Sequence, residues 1–117
     1  MLSPGVPRSH PALAAALGDA EAAGDTTGAH QVLVVNEVEL AAAQMPAQVA
    51  IVGITGTNGK TTTTTMCGAI AKVFDPNAFI GGNLGTPWCQ AVVDGNVPAI
   101  AVLELSSYQL ETIRFLP

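Results

Sequence analysis

Apolar segments of strand length alternate with segments of helical character along most of this chain. Apolar runs bounded by Gly, Pro or Asn predict strands at 31–35, 49–54, 77–82 and 98–106. Helical patterns with start and stop signals predict helices at 9–17, 37–44, 60–73, 86–93 and 107–113. Because strand and helix alternate, we expect an α/β fold with a parallel sheet covered by helices on both faces.

Several local signals refine these elements. Ser9 is the expected N-cap of the first helix, and Thr86 is the expected cap of the fourth, with Pro87 at its first position. The stretch Gly18–His30 has no apolar period and predicts a surface loop. In the helix at 60–73 one face carries three apolar residues, Met66, Ile70 and Val73.

Composition limits the functional classes. The 117 residues carry 4 Lys and Arg against 9 Asp and Glu, a net charge of -5, which disfavours nucleic-acid binding. No apolar run approaches the ~20 residues of a membrane span, so we expect no membrane partner and an intracellular protein. Cys67 and Cys89 have no metal-binding spacing, which predicts two reduced, partly buried thiols.

The stretch "VGITGTNGKTTTTTM" joins a predicted strand to the helix that follows it. Gly53, Gly56 and Gly59 allow the backbone to turn tightly, so that successive N–H groups converge on an anion at the helix N-terminus. Lys60 would reach the β- and γ-phosphates of a nucleotide, and the Thr61 hydroxyl would bind Mg²⁺. The pattern therefore predicts a phosphate-binding loop.

The match to the general phosphate-loop pattern G-x-x-x-x-G-K-[ST] is incomplete, because Ile54 stands where that pattern has its first glycine. A glycine-rich turn with an incidental lysine is the alternative interpretation. The preceding strand and the following helix favour nucleotide binding. Thr62 can add its N–H or hydroxyl to the phosphates, whereas Thr63–Thr65 have no individual case for function.

Two further strand ends carry candidate chemistry. Glu104 follows the apolar run "AIAVL", where a carboxylate can hold Mg²⁺ beside a phosphate loop; a solvent-facing glutamate is the alternative. Asn83 lies in the glycine-rich stretch "GGNLGTP", where it can bind a ligand or serve only as a turn residue. Glu111 is expected on a solvated helix face.

The segment "GITGTNGKTT" resembles the phosphate loop of the Mur ligases and the folylpolyglutamate synthases, in which the first glycine is also replaced. Four more segments resemble the Mur ligase family in the same order along the chain: "SPGVP" (3–7), "NEVEL" (36–40), "GGNLGTP" (81–87) and "LELSSYQLE" (103–111). Together they are most similar to the members of that family that add D-glutamate.

The resemblance implies a bacterial cytoplasmic ligase of peptidoglycan synthesis, with ATP and Mg²⁺ as cofactors and UDP-N-acetylmuramoyl-L-alanine and D-glutamate as substrates. ATP phosphorylates the muramoyl carboxylate, and the D-glutamate amine attacks the resulting acyl phosphate. The implied nucleotide-binding residues are Gly56, Thr57, Asn58, Gly59, Lys60, Thr61 and Thr62. The implied catalytic residues are Lys60 and Glu104, the metal ligands Thr61 and Glu104, and the substrate-binding residues Gly5, Asn83 and Ser106.

The chain is short for this family. By the resemblance, residues 1–46 are the end of the amino-terminal UDP-binding domain and its linker, and residues 47–117 are the first part of the central ATP-binding domain. We expect an incomplete phosphate-loop ATPase core, inactive alone, from a monomeric parent ligase. The alternatives are an inactive nucleotide-binding remnant, another relative of the Mur ligases and folylpolyglutamate synthases, or an unrelated small phosphate-loop NTPase.

Overall fold

The computed structural model describes residues 35–83 and 85–114, together with Pro11. The elements are, in chain order, α1 (Glu37–Gln44), β1 (Ala50–Ile54), α2 (Lys60–Phe74), β2 (Phe79–Gly82), α3 (Trp88–Val93), β3 (Ile100–Glu104) and α4 (Ser107–Thr112). The predicted helix at 9–17, the predicted loop Gly18–His30 and nearly all of the predicted strand at 31–35 lie outside the described residues.

The strands form a parallel sheet in the order β1-β3-β2, which confirms the predicted α/β class. The central strand β3 ends at Glu104, and its register places this residue opposite Ile54 of β1 and Gly82 of β2. Because parallel strands all end at the same edge of a sheet, the loops that follow β1 and β2 meet beside Glu104.

Helices cover both faces of this sheet, as predicted. Side chains of a strand point alternately to opposite faces. Leu103 packs on one face with Val38 of α1 and Trp88 of α3, whereas Val102 packs on the other with Ala71 of α2. Glu104, two residues after Val102, therefore points to the same face as α2.

The buried face of α2 is not the face that carries its three apolar residues. The three apolar residues do share a face, but they are 60 to 80% exposed: Met66, Ile70 and Val73. The buried positions of α2 are small: Thr64, Gly68 and Ala71. Gly68 lets the helix approach β2 closely, because a Cβ at this position would lie only 2.6 Å from Ile80 Cγ1.

Helix starts agree with the predictions except at α3. The predicted cap Thr86 is wrong: α3 has Pro87 as its N-cap residue and no side-chain cap hydrogen bond. The Thr86 carbonyl instead accepts a hydrogen bond of 2.9 Å from the Gly82 N–H, which folds the connection back onto β2. The chain thus uses Thr86 to close a turn, one residue before the N-cap of α3.

Both cysteines are free and half-buried, as predicted. Cys89 joins α3 to α1, because its N–H donates to the Glu37 carboxylate and its Sγ donates to the Glu37 carbonyl over 3.5 Å. Burial, together with the hydrogen bond and negative charge of Glu37, raises the pKa of Cys89 to about 11.

In the part of the chain that the structure describes, no helix has the length and apolar character needed to span a bilayer.

Candidate functional site

The loop between β1 and α2 presents backbone N–H groups at the start of a long helix. Gly59 takes the left-handed conformation, with φ 76°, and occupies the N-cap position of α2 without a side-chain cap. Thr63 N–H makes the first intrahelical bond, 2.9 Å to the Gly59 carbonyl. The first-turn N–H groups before it are therefore available to an external acceptor, and the positive end of the helix dipole favours an anion there.

Lys60 folds back over this loop. Its Nζ donates to the Gly56 carbonyl over 2.8 Å. Gly56 has φ 150°, a conformation that side-chain-bearing residues rarely adopt. The ammonium group therefore lies beside the same loop that presents the free N–H groups, and it adds a full positive charge to their partial charges.

Glu104 is a buried carboxylate at the end of the central strand, with only 2% of its surface exposed. The alternative of a solvent-facing glutamate is therefore wrong. Its carboxylate accepts no hydrogen bond and forms no salt bridge with the residues that the structure describes. Because Glu104 also lines the cavity described below, its carboxylate is accessible to a cation supplied from outside the chain.

Asn83 is held directly against the Glu104 backbone. Its N–H donates to the Glu104 carbonyl over 2.8 Å. This approach depends on Gly82, whose φ is 109° and at which a Cβ would lie 2.4 Å from the same carbonyl oxygen. The sequence reasoning missed this role of Gly82, although the paired glycines at the end of β2 were its signal.

These features surround one cavity of about 410 Å³. Its lining combines residues from the glycine-rich loop, the start of α2 and the ends of β2 and β3: Thr57, Asn58, Gly59, Lys60, Thr61, Thr62, Asn83 and Glu104. Gly56 adds to the site indirectly, because its carbonyl accepts the hydrogen bond from Lys60 Nζ. The structure thus brings together residues that were predicted from separate segments of the sequence, in a volume suited to a small ligand.

The oxygen atoms of this cavity could bind Mg²⁺ only if a ligand supplied further oxygen atoms. Within residues 35–83 and 85–114 no three His, Cys, Asp or Glu side chains form a potential metal cluster. The cavity offers one carboxylate, Glu104, and hydroxyls such as that of Thr61. Mg²⁺ is commonly held by one or two carboxylates plus waters and phosphate oxygens, so this site could bind it together with a phosphorylated ligand.

Of the three predicted substrate-binding residues, only Asn83 is among the described residues that line this cavity. Gly5 lies outside the described residues. Ser106 begins α4, and its hydroxyl donates to Gln109 Oε1 over 3.1 Å and accepts from Gln109 N–H over 3.2 Å. A hydroxyl has one donor and two acceptor positions, so one lone pair of Ser106 remains for a ligand. The S-x-x-Q spacing, typical of a capping box, was the available signal for Gln109.

The chain was compared with known families and proteins. Residues 54–116 match the model of the Mur ligase middle domain. A UDP-N-acetylmuramoylalanine--D-glutamate ligase of Geotalea daltonii is 54% identical over 86 residues, which is 73% of this chain. Ligases of the same name from Myxococcus xanthus and Koribacter versatilis are 46% and 42% identical over 99% and 100% of this chain.

The chain is much shorter than these relatives. The matched segments make up 18% of the Geotalea daltonii protein and 23% of each of the other two. The similarity therefore concerns about a fifth of each relative and includes the glycine-rich loop, Asn83 and Glu104.

Proposed function

The chain belongs to the Mur ligase family, and from this premise we propose that it is part of an ATP-dependent ligase that adds D-glutamate to UDP-N-acetylmuramoyl-L-alanine. The observation that carries the proposal is the cavity that gathers Lys60, Thr61 and the buried Glu104. The names of the relatives support D-glutamate as the incoming amino acid. Such a ligase would serve peptidoglycan synthesis in the bacterial cytoplasm.

In this proposal the glycine-rich loop is a phosphate loop for ATP. The N–H groups at the start of α2 would donate hydrogen bonds to the phosphate oxygens, and Lys60 would neutralise the transferring phosphoryl group. The hydrogen bond of 2.8 Å between Lys60 Nζ and the Gly56 carbonyl supports this role, because it holds the ammonium over the loop before a nucleotide binds.

Thr61 and Glu104 would hold one Mg²⁺. Bound there, the ion would reduce the repulsion between an attacking carboxylate and the phosphates. The absence of any protein partner for the Glu104 carboxylate among the described residues supports this assignment.

The acceptor substrate would approach from the side of Asn83 and Ser106. Its carboxylate oxygen attacks the γ-phosphorus, the bond to the β-phosphate oxygen breaks, and ADP leaves. The amine of D-glutamate then attacks the acyl carbon, inorganic phosphate leaves, and the nitrogen loses its proton to form the amide. Asn83 supports this placement, because its backbone is fixed to Glu104 and the residue lines the cavity.

We further propose that residues 47–117 form the first part of the ATP-binding domain and that residues 1–46 precede it. The remaining alternatives predict different outcomes. A nucleotide-binding remnant would bind ATP without turnover, and a sister ligase or folylpolyglutamate synthase relative would prefer another amino acid.

The test uses the full-length ligase that contains this segment, as wild type and as Lys60→Ala. With ATP, Mg²⁺, the UDP-muramoyl-L-alanine precursor and D-glutamate, the wild type should form ADP and the D-glutamyl product, both measured by mass spectrometry. Lys60→Ala should abolish both without loss of fold, because its side chain does not contribute to either hydrophobic cluster. Lys72→Ala, an exposed lysine in the last turn of α2, is the matched control.

Normal activity of Lys60→Ala would refute the phosphate-loop assignment. ATP binding by the wild type without turnover would favour the remnant. Product formation with L-alanine, diaminopimelate or L-glutamate in place of D-glutamate would move the protein to another branch of the family.

A further inference from the structure

Asn36, the residue before α1, makes hydrogen bonds to two separate helices. It is 4% exposed, and its Oδ1 accepts from the Glu39 N–H over 2.9 Å, which caps α1. Its Nδ2 donates to the Gln109 carbonyl over 2.9 Å and to Thr112 Oγ1 over 3.0 Å. The acceptor and both donor positions of the Asn36 amide are therefore used.

Gln109, the partner of Asn36, also fixes Ser106. The Ser106 N–H donates to Gln109 Oε1 over 2.9 Å, and the two bonds to the Ser106 hydroxyl complete a capping box. Gln109 is 6% exposed, so these bonds are shielded from competition with water. A continuous polar chain thus runs from Asn36 through Gln109 to the Ser106 hydroxyl.

Ser106 and Glu104 are held in different ways. Glu104 is part of the sheet and is paired in register with both Ile54 and Gly82. Leu105 still bonds to the Ile54 carbonyl over 2.8 Å, but Ser106 lies beyond the ladder. The orientation of the Ser106 hydroxyl therefore depends on the capping box and on the placement of α4.

We propose that Asn36 is a positioning residue that, through Gln109, fixes the Ser106 hydroxyl towards the acceptor substrate. This inference rests on the proposed function, which places Ser106 on the side of the muramoyl substrate. It adds that a residue of the segment before α1 controls binding of that substrate without touching it. Because the sheet holds Glu104 independently, the effect is specific to the acceptor substrate and spares ATP.

The alternative is that Asn36 is only a helix cap. Asn36→Ser separates the two roles, since serine is an equally good cap but has no amide to donate to Gln109 and Thr112. Val38→Ala is the matched control: it removes buried volume from the same helix, with Val38 0% exposed, and leaves every bond of the chain from Asn36 to Ser106 in place.

In the full-length ligase, Asn36→Ser should raise the KM for the UDP-muramoyl substrate by about five- to tenfold, the size expected for one or two lost buried hydrogen bonds. The KM for ATP should stay within about twofold, a change too small to represent a lost hydrogen bond. Val38→Ala should change neither KM. Thr112→Val removes the contact with Asn36, together with the hydroxyl's bonds to the carbonyls of its own helix, and keeps the bond from Asn36 to Gln109. It should shift the same KM in the same direction by a smaller factor.

A second measurement is independent of activity. Hydrogen exchange of the Ser106 and Gln109 amides should accelerate in Asn36→Ser relative to the amides of α1, and it should not do so in Val38→Ala. Equal changes in the two variants, or an unchanged muramoyl KM in Asn36→Ser, would overturn the positioning role while leaving the ligase assignment intact. Loss of ligase activity already in the wild type would refute the proposed function, and the exchange data would then decide whether the chain from Asn36 to Ser106 exists.

Discussion

Glu104 is the residue for which the sequence and the structure give the clearest indication of a functional role. It ends the central strand, is 2% exposed and has no side-chain partner among the described residues. Glu104 also lines the cavity, so a cation can reach its carboxylate. The proposed metal role of Glu104 is tested by removing its charge.

Replacing the Glu104 carboxylate with an amide removes its negative charge and keeps the shape of the side chain. In the full-length ligase, Glu104→Gln should lower the Mg²⁺-dependent rate by about a hundredfold or more, because a metal ion contributes several kcal/mol to phosphoryl transfer. The melting temperature should change little, because the amide keeps the size and shape of the side chain and no partner in the described part of the chain loses a bond. The rate is measured as ADP release across a Mg²⁺ titration.

Glu111→Gln, at an exposed position on α4, is the control for loss of one negative charge. An unchanged Mg²⁺ dependence in Glu104→Gln, equal to that of the control, would remove Glu104 from the metal site.

Cys89 makes a second residue-scale prediction. Burial and then its contact with Glu37 raise the pKa of Cys89 from 9.0 to about 11. The folded state thus holds this proton more tightly than the unfolded state. The resulting contribution to stability is complete below pH 9 and is lost as the pH rises towards 11. Alkylation of Cys89 by iodoacetamide, followed by mass spectrometry, should stay slow up to pH 9 and accelerate only near pH 11.

Glu37→Gln removes the negative charge but keeps an oxygen that can accept from the Cys89 N–H. It should lower the pKa of Cys89 partway, because burial remains, and so speed alkylation at pH 9. Glu111→Gln should not change the rate. Fast alkylation of the wild type at neutral pH would contradict the buried environment of this thiol.

At the scale of elements, local signals predicted the position of each described element to within about two residues, but they did not predict the packing. The predicted helix at 37–44 agrees with α1, and the helix predicted at 60–73 is longer by one residue. The apolar face of α2 is exposed, because a small-residue face centred on Gly68 packs on the sheet instead. Periodicity reports which residues share a face, but close approach of a helix to a sheet depends on the partner strand.

The contact between Gly68 and Ile80 can be tested by a double-mutant cycle. Gly68→Ala gains helix propensity of about 1 kcal/mol. It also places a Cβ 2.6 Å from Ile80 Cγ1 and 2.8 Å from its Cδ1, an overlap that typically costs ~1 to 3 kcal/mol. We therefore expect a net loss of stability, seen as a lower melting temperature of the full-length protein.

In an Ile80→Ala background the overlap is gone, so the same Gly68→Ala change should be neutral or stabilising. Ala69→Gly, at an exposed position of α2, measures the propensity effect without the contact. If Gly68→Ala had the same effect in both backgrounds, the helix would not approach β2 as closely as the structure shows.

At the scale of the whole molecule, the sequence predicted the parts of the site better than their assembly. The glycine-rich loop and Glu104 were both expected at strand ends, and the order β1-β3-β2 places them side by side. That order, the role of Gly82 and the engagement of Ser106 with Gln109 depend on contacts between distant segments. No local pattern determines which strands become neighbours.

The same assembly leaves much apolar surface uncovered in the chain tested alone. The exposed face of α2 also includes Phe74, which is 76% exposed, and Val52 on the outer strand β1 is 41% exposed. With the order β1-β3-β2, the outer strands β1 and β2 each have one edge unpaired within the described sheet. We therefore expect the isolated 117-residue chain to self-associate at micromolar concentration, as measured by light scattering after size-exclusion chromatography.

A matched pair of variants tests whether the α2 face drives that association. Ile70 is 60% exposed on this face, so Ile70→Glu should reduce association with little loss of secondary structure. Thr65→Glu adds the same charge at an exposed position of α2 on another side of the helix from Ile70 and should leave association unchanged. If the two variants behave alike, net charge or the strand edges would be the cause instead.

A last prediction concerns the catalytic activity of the isolated chain. The chain corresponds to 18 to 23% of the relatives it matches, and orientation of two reactants alone can account for ~7 to 11 kcal/mol of a reaction barrier. We expect weak ATP binding at most and no D-glutamyl product, even for the less associated Ile70→Glu. Because that variant removes aggregation as an explanation, its inactivity would show that groups beyond these 117 residues are needed. Steady product formation would instead show that the cavity between the glycine-rich loop and Glu104 suffices for both substrates.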